Sequence, residues 1–205
     1  MFMIWIQIIG ILIVALVVVT SGLQLRKIPH KTTAKMLSTV VNFTFYSLLM
    51  VPSILIVIYP GIKNLDTLVG IWSIPFLTVD KVLGPILFFS GIAILVNSFK
   101  ALGYTNFSSI IAPPRKLVVN RIYAHVRNPM FIGFCITYIG LGLFFNSLYI
   151  VIMVVFIQLP VLVFSIKFFE EYELELRFGN DYLNYITKPS IFSLICFSNK
   201  VNSKK

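Results

Sequence analysis

Apolar runs of about twenty residues recur along this chain and limit what it can fold into. The first fills residues 2–23 almost without interruption, and four more occupy residues 36–59, 82–102, 129–145 and 148–169. A helix needs about 20 predominantly apolar residues to cross the hydrocarbon core of a bilayer. The runs therefore predict an all-α, polytopic membrane protein with about five transmembrane helices.

The composition supports this prediction and excludes several other classes of protein. Hydrophobic residues make up 58% of the chain and charged residues 12%, against about 45–50% and about 25% in ordinary globular domains. A soluble dinucleotide-binding enzyme, a disordered regulator and a small disulfide scaffold are all excluded. No Lys or Arg precedes the first run, so we interpret it as a retained helix rather than a signal peptide. The shorter run at residues 69–79 contains Trp72 and Pro75 and predicts a re-entrant or interfacial segment.

The distribution of positive charge predicts an orientation in the membrane. The chain carries 17 Lys and Arg against 7 Asp and Glu, a net charge of +10. With the N-terminus outside, residues 24–35, 100–128 and 167–205 all fall in the cytoplasm, which leaves only Lys63 and Lys81 outside. The excess charge favours contact with anionic lipids. A nucleic-acid partner is not expected, because the chain has no basic stripe with base-stacking aromatic residues, and no obligate protein partner is evident.

Two polar motifs flank the last pair of apolar runs. Residues 129–145 and 148–169 are joined by Asn146-Ser147, so they predict an antiparallel helical hairpin. Its two polar ends, which begin near Arg127 and at Glu170, should then lie together at the cytoplasmic face. The apolar residues that follow recur at helical spacing and predict an amphipathic C-terminal helix along the interface; they are Leu174, Phe178, Tyr182 and Tyr185. We divide the chain into membrane spans (1–98), a region that holds both motifs (99–189) and a basic tail (190–205).

Each motif alone has an ordinary structural explanation. Asn128 and Pro129 are typical of a helix start, and charged residues at the end of a span are common. The combination is more specific, because an arginine at one helix end meets a pair of carboxylates at the other. This arrangement predicts a pocket that is half apolar and half charged, as small-molecule sites are.

The two motifs together resemble a known family. The sequence reads Tyr-x-x-Val-Arg-Asn-Pro-Met-Phe-x-Gly from Tyr123 to Gly133, and Glu-Glu-x-x-Leu-x-x-x-Phe-Gly-x-x-Tyr-x-x-Tyr from Glu170 to Tyr185. It is similar to the integral-membrane methyltransferases of the isoprenylcysteine carboxyl methyltransferase and phospholipid methyltransferase group, which use S-adenosylmethionine. Three positions depart from the usual pattern, namely Arg121-Ile122 in place of a small Gly-Pro or Gly-x, Asn128 in place of histidine, and Phe131 in place of tyrosine.

The resemblance implies S-adenosylmethionine-dependent methyl transfer to a lipid-like acceptor that enters from the bilayer. For a carboxylate acceptor, as in isoprenylcysteine, the expected catalytic residues are Arg127 and Lys167, which would hold the carboxylate. For an amine acceptor, as in phosphatidylethanolamine, Glu171 is the expected base. The family's cofactor contacts fall on Lys116, Leu117, Val118, Tyr123, Asn128, Pro129, Met130, Phe131 and Glu170, and no metal ligand is expected.

Two other functions remain open from the sequence. A membrane reductase of the sterol-reductase type has a similar architecture, but its nicotinamide cofactor would need more phosphate-binding cations than residues 103–127 provide. A non-catalytic scaffold or transporter subunit is the second alternative. A transporter should carry polar groups at mid-membrane, whereas the polar residues here concentrate at one face.

Overall fold

The computed structural model describes residues 2–50, 65–71, 79–103, 114 and 116–187, and helices dominate these ranges. A 3₁₀ turn at Arg121–Ala124 precedes the last three helices. The helices are α1 (Phe2–Lys27), α2 (Lys31–Phe45, extended by a π-helical turn at Tyr46–Met50), α3 (Leu65–Val69), α4 (Val79–Leu102), α5 (Pro129–Phe144), α6 (Leu148–Phe178) and α7 (Asn180–Ile186).

Three helices are long and apolar enough to cross a membrane within the described ranges. They are Trp5–Lys27, Lys81–Leu102 and Leu148–Phe178, and α5 is a shorter apolar helix. The all-helical, membrane-type prediction is therefore confirmed for this part of the chain. The count of five spans stays a prediction, because residues 51–59 of the predicted second span lie outside the described residues. So do most of the predicted interfacial segment and the basic tail.

The predicted hairpin of α5 and α6 is present. The turn between the helices is closed by the backbone N–H of Ser147, which donates to the carbonyl oxygen of Gly142 at 2.8 Å. Asn146 has a φ of 54°, a left-handed conformation that asparagine adopts more readily than most residues. Three residues, Phe145 to Ser147, thus suffice to reverse the chain, and they set α5 and α6 side by side.

Glycines allow α4 to lie very close to α5. A Cβ atom added at Gly140 would come within 2.4 Å of the backbone nitrogen of Phe88, and one at Gly91 would come within 2.4 Å of the hydroxyl oxygen of Thr137. Small residues at such positions let two membrane helices approach closely, so that dispersion contacts and short interhelical distances hold the pair together. The α4–α5 pair forms one side of the bundle.

The other side of the bundle is formed by α1, which packs against α2 and α6. Its buried stripe includes Val14, Val18 and Leu25. Near its N-terminus, the side-chain oxygen of Gln7 accepts a hydrogen bond from the hydroxyl of Tyr149 at 3.1 Å. The start of α1 is therefore level with the start of α6.

A buried carboxylate caps the long helix α6 at that same end. Asp66, on α3, accepts hydrogen bonds from the backbone N–H groups of Leu148 (3.0 Å) and Tyr149 (2.9 Å) and from the hydroxyl of Ser147 (3.1 Å). The first N–H groups of a helix have no partner within the helix and carry partial positive charge. Asp66 satisfies them from a distant part of the chain.

The C-terminal region differs from the single amphipathic helix predicted from residues 174–185. Residues 171–178 continue α6 without a break, since no proline or glycine interrupts them. The break comes at Gly179, which has a φ of 58°, and α7 follows as a separate helix. At about 1.5 Å per residue, the 31 residues of α6 are longer than a hydrocarbon core of about 30 Å requires. The interfacial orientation of residues 174–185 stays a prediction.

Candidate active site

A cavity of about 190 Å³ lies between α2, α5 and α6, at the end of the bundle opposite Asp66. The last turn of α1 marks the same level, because the Arg26 guanidinium donates to the carbonyl oxygen of Phe168 at 3.0 Å. The cavity walls combine charged and apolar side chains. Its lining residues from α5, α6 and the preceding segment include Lys116, Leu117, Val118, Tyr123, Arg127, Asn128, Met130, Phe131, Phe134, Leu162, Phe169, Glu170, Glu173 and Arg177.

Asn128 joins the start of α5 to the acidic part of α6. Its side-chain oxygen accepts from the backbone N–H of Phe131 at 3.4 Å, with Pro129 in the first turn, which confirms the predicted helix cap. Its amide nitrogen donates to Glu170 Oε2 at 3.2 Å. One neutral side chain therefore begins α5 and positions a carboxylate at the cavity wall.

Arg127 lies in a second contact between the two motifs. One guanidinium nitrogen donates to Glu171 Oε1 at 3.1 Å, and another donates to the carbonyl oxygen of Ile186 at 2.9 Å. Lys167 also pairs with Glu171 Oε1, at 3.0 Å. The planar guanidinium thus connects the residue before α5 to both α6 and α7, and the Glu171 carboxylate is shared by two cations.

A more deeply buried ion pair lies one turn further along α6. Glu173 is only 2% exposed and pairs with Arg177 at 2.7 Å. The side chain of Ser38, on α2, also hydrogen-bonds to Glu173. Arg177 donates in addition to the carbonyl oxygen of Pro114. This network holds α2 and the segment before the 3₁₀ turn against the end of α6.

The α7 helix closes the site through a tyrosine. The hydroxyl of Tyr185 donates to the carbonyl oxygen of Tyr123 at 2.7 Å. Burial raises the pKa of Tyr185 to about 12, with Glu170 acting in the same direction and Arg127 against it. Because the neutral phenol is favoured in the folded protein, this contribution to stability is present below a pH of about 10 and is lost as the pH rises through about 12. Burial also raises the pKa of Tyr182.

The turn before Tyr123 shows what the Arg121 departure does. Arg121 has a φ of 55°, in the left-handed region where glycine is unstrained and other residues pay about 1–2 kcal/mol. The arginine therefore adopts the backbone conformation that a glycine at this position would favour. The side chain of Arg121 is exposed.

The structure brings most of the predicted site residues together. Arg127 lines the cavity, while Glu171 and Lys167 lie beside it and are not part of its wall. Pro129 is buried at the start of α5 and does not reach the cavity. The other predicted cofactor contacts line it: Lys116, Leu117, Val118, Tyr123, Asn128, Met130, Phe131 and Glu170.

Sequence reasoning missed the wall that α2 contributes. Its cavity-lining residues are Ser38, Val41, Asn42, Phe45 and Tyr46. They recur at spacings of three and four, which places them on one face of a helix. This spacing was visible in the sequence, but the high hydrophobicity of the run concealed it. Glu173 and Arg177 were also missed as residues of the cavity wall.

Comparison with known proteins identifies the family. A phospholipid methyltransferase family profile matches residues 79–181, about half of the 205 residues. The chain belongs to the phospholipid methyltransferase family. The region shared with other phospholipid methyltransferases runs from α4 into α7 and contains both Asn128 and Glu170, whereas α2 precedes it. No curated protein and no solved structure matches the chain. Membership in this family, with three long apolar helices, indicates a membrane methyltransferase that acts on a lipid.

Proposed function

We propose that this protein transfers a methyl group from S-adenosylmethionine to the amine of a phospholipid, in the cavity between α2, α5 and α6. The observation that carries the proposal is the environment of Glu170. Its carboxylate faces the cavity and is held by the neutral amide of Asn128 at 3.2 Å. The neighbouring carboxylates are neutralised, Glu171 by Arg127 and Lys167, and Glu173 by Arg177.

The residues of the cavity suit the chemistry of S-adenosylmethionine. The ammonium and sulfonium groups of this cofactor favour a carboxylate and aromatic faces, which Glu170 and Phe131 provide. An adenine ring favours an apolar slot with backbone partners, and Leu117 and Val118 form such a wall. The cavity is smaller than the roughly 300–1,000 Å³ usual for ligand pockets, so a ligand of this size would extend beyond it. When bound, the cofactor supplies a methyl group that its sulfonium has already activated.

The protein's own contribution is then to position the acceptor and to stabilise charge. An ammonium must lose a proton before its nitrogen can accept a methyl group, so an amine acceptor requires a base. Glu171, the base expected from the sequence, is paired with both Arg127 and Lys167 and lies outside the cavity wall. We therefore assign proton acceptance to Glu170, whose two carboxylate oxygens in this proposal face the cofactor's ammonium and the acceptor's amine. In this assignment Glu171 holds Arg127 in place.

A carboxylate acceptor of the isoprenylcysteine type is less well supported. Arg127 lines the cavity and is the side chain that would bind such a group. Its guanidinium already donates to Glu171 and to the carbonyl oxygen of Ile186. An incoming carboxylate would compete with Glu171 for this cation, whereas a cationic amine would add a missing charge beside Glu170.

The test is to compare Glu170→Gln with the wild-type protein. We expect S-adenosylhomocysteine, measured by calorimetry, to bind wild type and to bind Glu170→Gln about 10- to 150-fold more weakly. This range corresponds to the roughly 1.5–3 kcal/mol of a hydrogen bond to a charged group. Glu175→Gln is the matched control, since Glu175 lies on the same helix but is exposed.

Methyl transfer is measured in parallel on phosphatidylethanolamine and prenylcysteine acceptors. We expect turnover on the amine lipid, with loss in Glu170→Gln and retention in Glu175→Gln. Equal cofactor affinity in wild type and Glu170→Gln would contradict the role given to Glu170. Turnover confined to the prenylcysteine acceptor would show that the acceptor group is a carboxylate and not an amine.

A further inference from the structure

We propose that α2 recognises the methyl acceptor and that Asn42 is a specificity-determining residue for its head group. This inference rests on the proposed function. The family match begins at residue 79, yet α2 supplies one complete wall of the cavity. The opposite wall carries the motif residues assigned to the cofactor, so the acceptor should meet the face that α2 presents.

The two faces of α2 differ in their surroundings. Ala34, Ser38 and Val41 are buried on the inner face. Met36 and Phe43 on the outer face are 67% and 57% exposed, as expected for side chains that contact lipid. The helix therefore has a fixed rotation, which turns its polar and aromatic cavity residues inward.

The contact between Ser38 and Glu173 fixes the register of α2 against α6. The two helices run in opposite directions, because α2 starts at the end of the bundle where α6 finishes. Asn42 is one turn further along α2 than Ser38, and Phe169 and Glu170 are one turn before Glu173 on α6. Asn42 therefore lies at the level of Phe169 and Glu170. Asn42 thus faces the cavity across from the carboxylate that the proposed function places at the reacting amine.

The polarity of the cavity changes along the same direction. Ser38, Glu170 and Glu173 lie at one end, and the lining residues deeper in the bundle are mostly apolar, among them Phe45, Phe134 and Leu162. Ser38 and Phe45 are seven positions apart, which is about 10 Å along a helix. An amphiphile fits this gradient with its polar group near Glu170 and its apolar chain beside Phe45.

Asn42 lies where the polar part of the cavity meets the apolar part. Its amide has both donors and an acceptor, so it can bind the oxygen atoms next to a lipid amine without adding a charge that competes with Glu170. Replacement by leucine keeps the size of the side chain and removes its hydrogen bonds. Replacement of Asn42 should therefore weaken binding of the acceptor and leave binding of the cofactor unchanged.

The experiment compares Asn42→Leu with Thr44→Val. The second variant also replaces a polar residue of α2, but Thr44 donates to the backbone of its own helix at Val40 and does not line the cavity. We expect Asn42→Leu to lower kcat/KM for phosphatidylethanolamine about tenfold or more, as a lost buried hydrogen bond would. Affinity for S-adenosylhomocysteine should stay within about twofold of wild type, and Thr44→Val should match wild type in both.

A binding measurement separates this inference from the proposed function. Short-chain phosphatidylethanolamine should raise the Tm of wild type and Thr44→Val in detergent, and should raise that of Asn42→Leu much less. An equal lipid-dependent rise in all three proteins would overturn the role of Asn42, as would a parallel loss of cofactor affinity. Wild-type protein that binds the lipid in this way but methylates none would refute the proposed function and leave acceptor recognition by α2 standing.

Discussion

Arg127→Lys distinguishes a residue that organises the site from a residue that only anchors the chain to lipid phosphate. The guanidinium reaches two acceptors at once, Glu171 at 3.1 Å and the carbonyl oxygen of Ile186 at 2.9 Å. Its side chain is 20% exposed. A lysine carries one nitrogen and cannot reproduce this planar fork, so the substitution should retain one contact and lose the other.

The expected cost follows from that geometry. Loss of one charge-assisted hydrogen bond at a partly buried position costs about 1.5–3 kcal/mol. For a chain of this size, each kcal/mol corresponds to roughly 2–4 °C in Tm. We therefore expect Arg127→Lys to unfold about 3–12 °C below wild type in detergent, measured by a thermal shift assay.

Turnover should fall in the same variant, because α7 and Glu171 are no longer held against the start of α5. Arg121→Lys is the matched control: Arg121 is an exposed arginine of the same segment and should tolerate lysine. A snorkelling arginine would also tolerate lysine, since either cation can contact phosphate from the interface. Wild-type Tm and turnover in Arg127→Lys would refute the argument from the two contacts.

Three further predictions concern the fold. Asp66→Ala should lower stability by about 2–3 kcal/mol, because it leaves the first N–H groups of α6 without their partner; Asp66→Asn should cost less, and thermal unfolding in detergent measures both. Gly140→Ala should lower stability by about 1–3 kcal/mol through overpacking, and so lower Tm, since the new Cβ would lie 2.4 Å from the backbone nitrogen of Phe88; an unchanged Tm would contradict the close packing of α4 on α5. For topology, after replacement of the native cysteines, a cysteine at Asn64 should label with an impermeant thiol reagent from outside the cell and one at Ser203 should not; the reverse pattern would invert the predicted orientation.

The parts of the fold that the sequence predicted depend on local signals. The α5–α6 hairpin follows from two apolar runs with Asn146-Ser147 between them, and the cap of α5 follows from Asn128 and Pro129. The residues of both motifs meet because the hairpin is short. The helix break at Gly179 also had a local signal, because a glycine within a periodic stretch indicates a break. The helical spacing of the apolar residues at 174–185 led to the prediction of one continuous helix instead.

Other features depend on contacts between distant segments. Nothing near residue 66 shows that its carboxylate will cap a helix that begins at residue 148. Similarly, Glu171 belongs to the motif by sequence, but only the positions of Arg127 and Lys167 show that its charge is neutralised outside the cavity wall. The register of α2 depends in the same way on Ser38 and Glu173. A sequence pattern can show that such a residue lies on a helix, but it does not show which distant residue it contacts.

The Asp66 cap also bears on how the protein is assembled. Residue 66 is synthesised before residues 147–149, so the carboxylate that receives the first N–H groups of α6 is already present when the α5–α6 hairpin leaves the ribosome. A chain that started at residue 79 would carry the whole family-matched region but would insert α6 with its first N–H groups uncapped, and Glu173 would lack the hydroxyl of Ser38. The N-terminal helices thus supply the contacts that α6 needs, and they are synthesised before it.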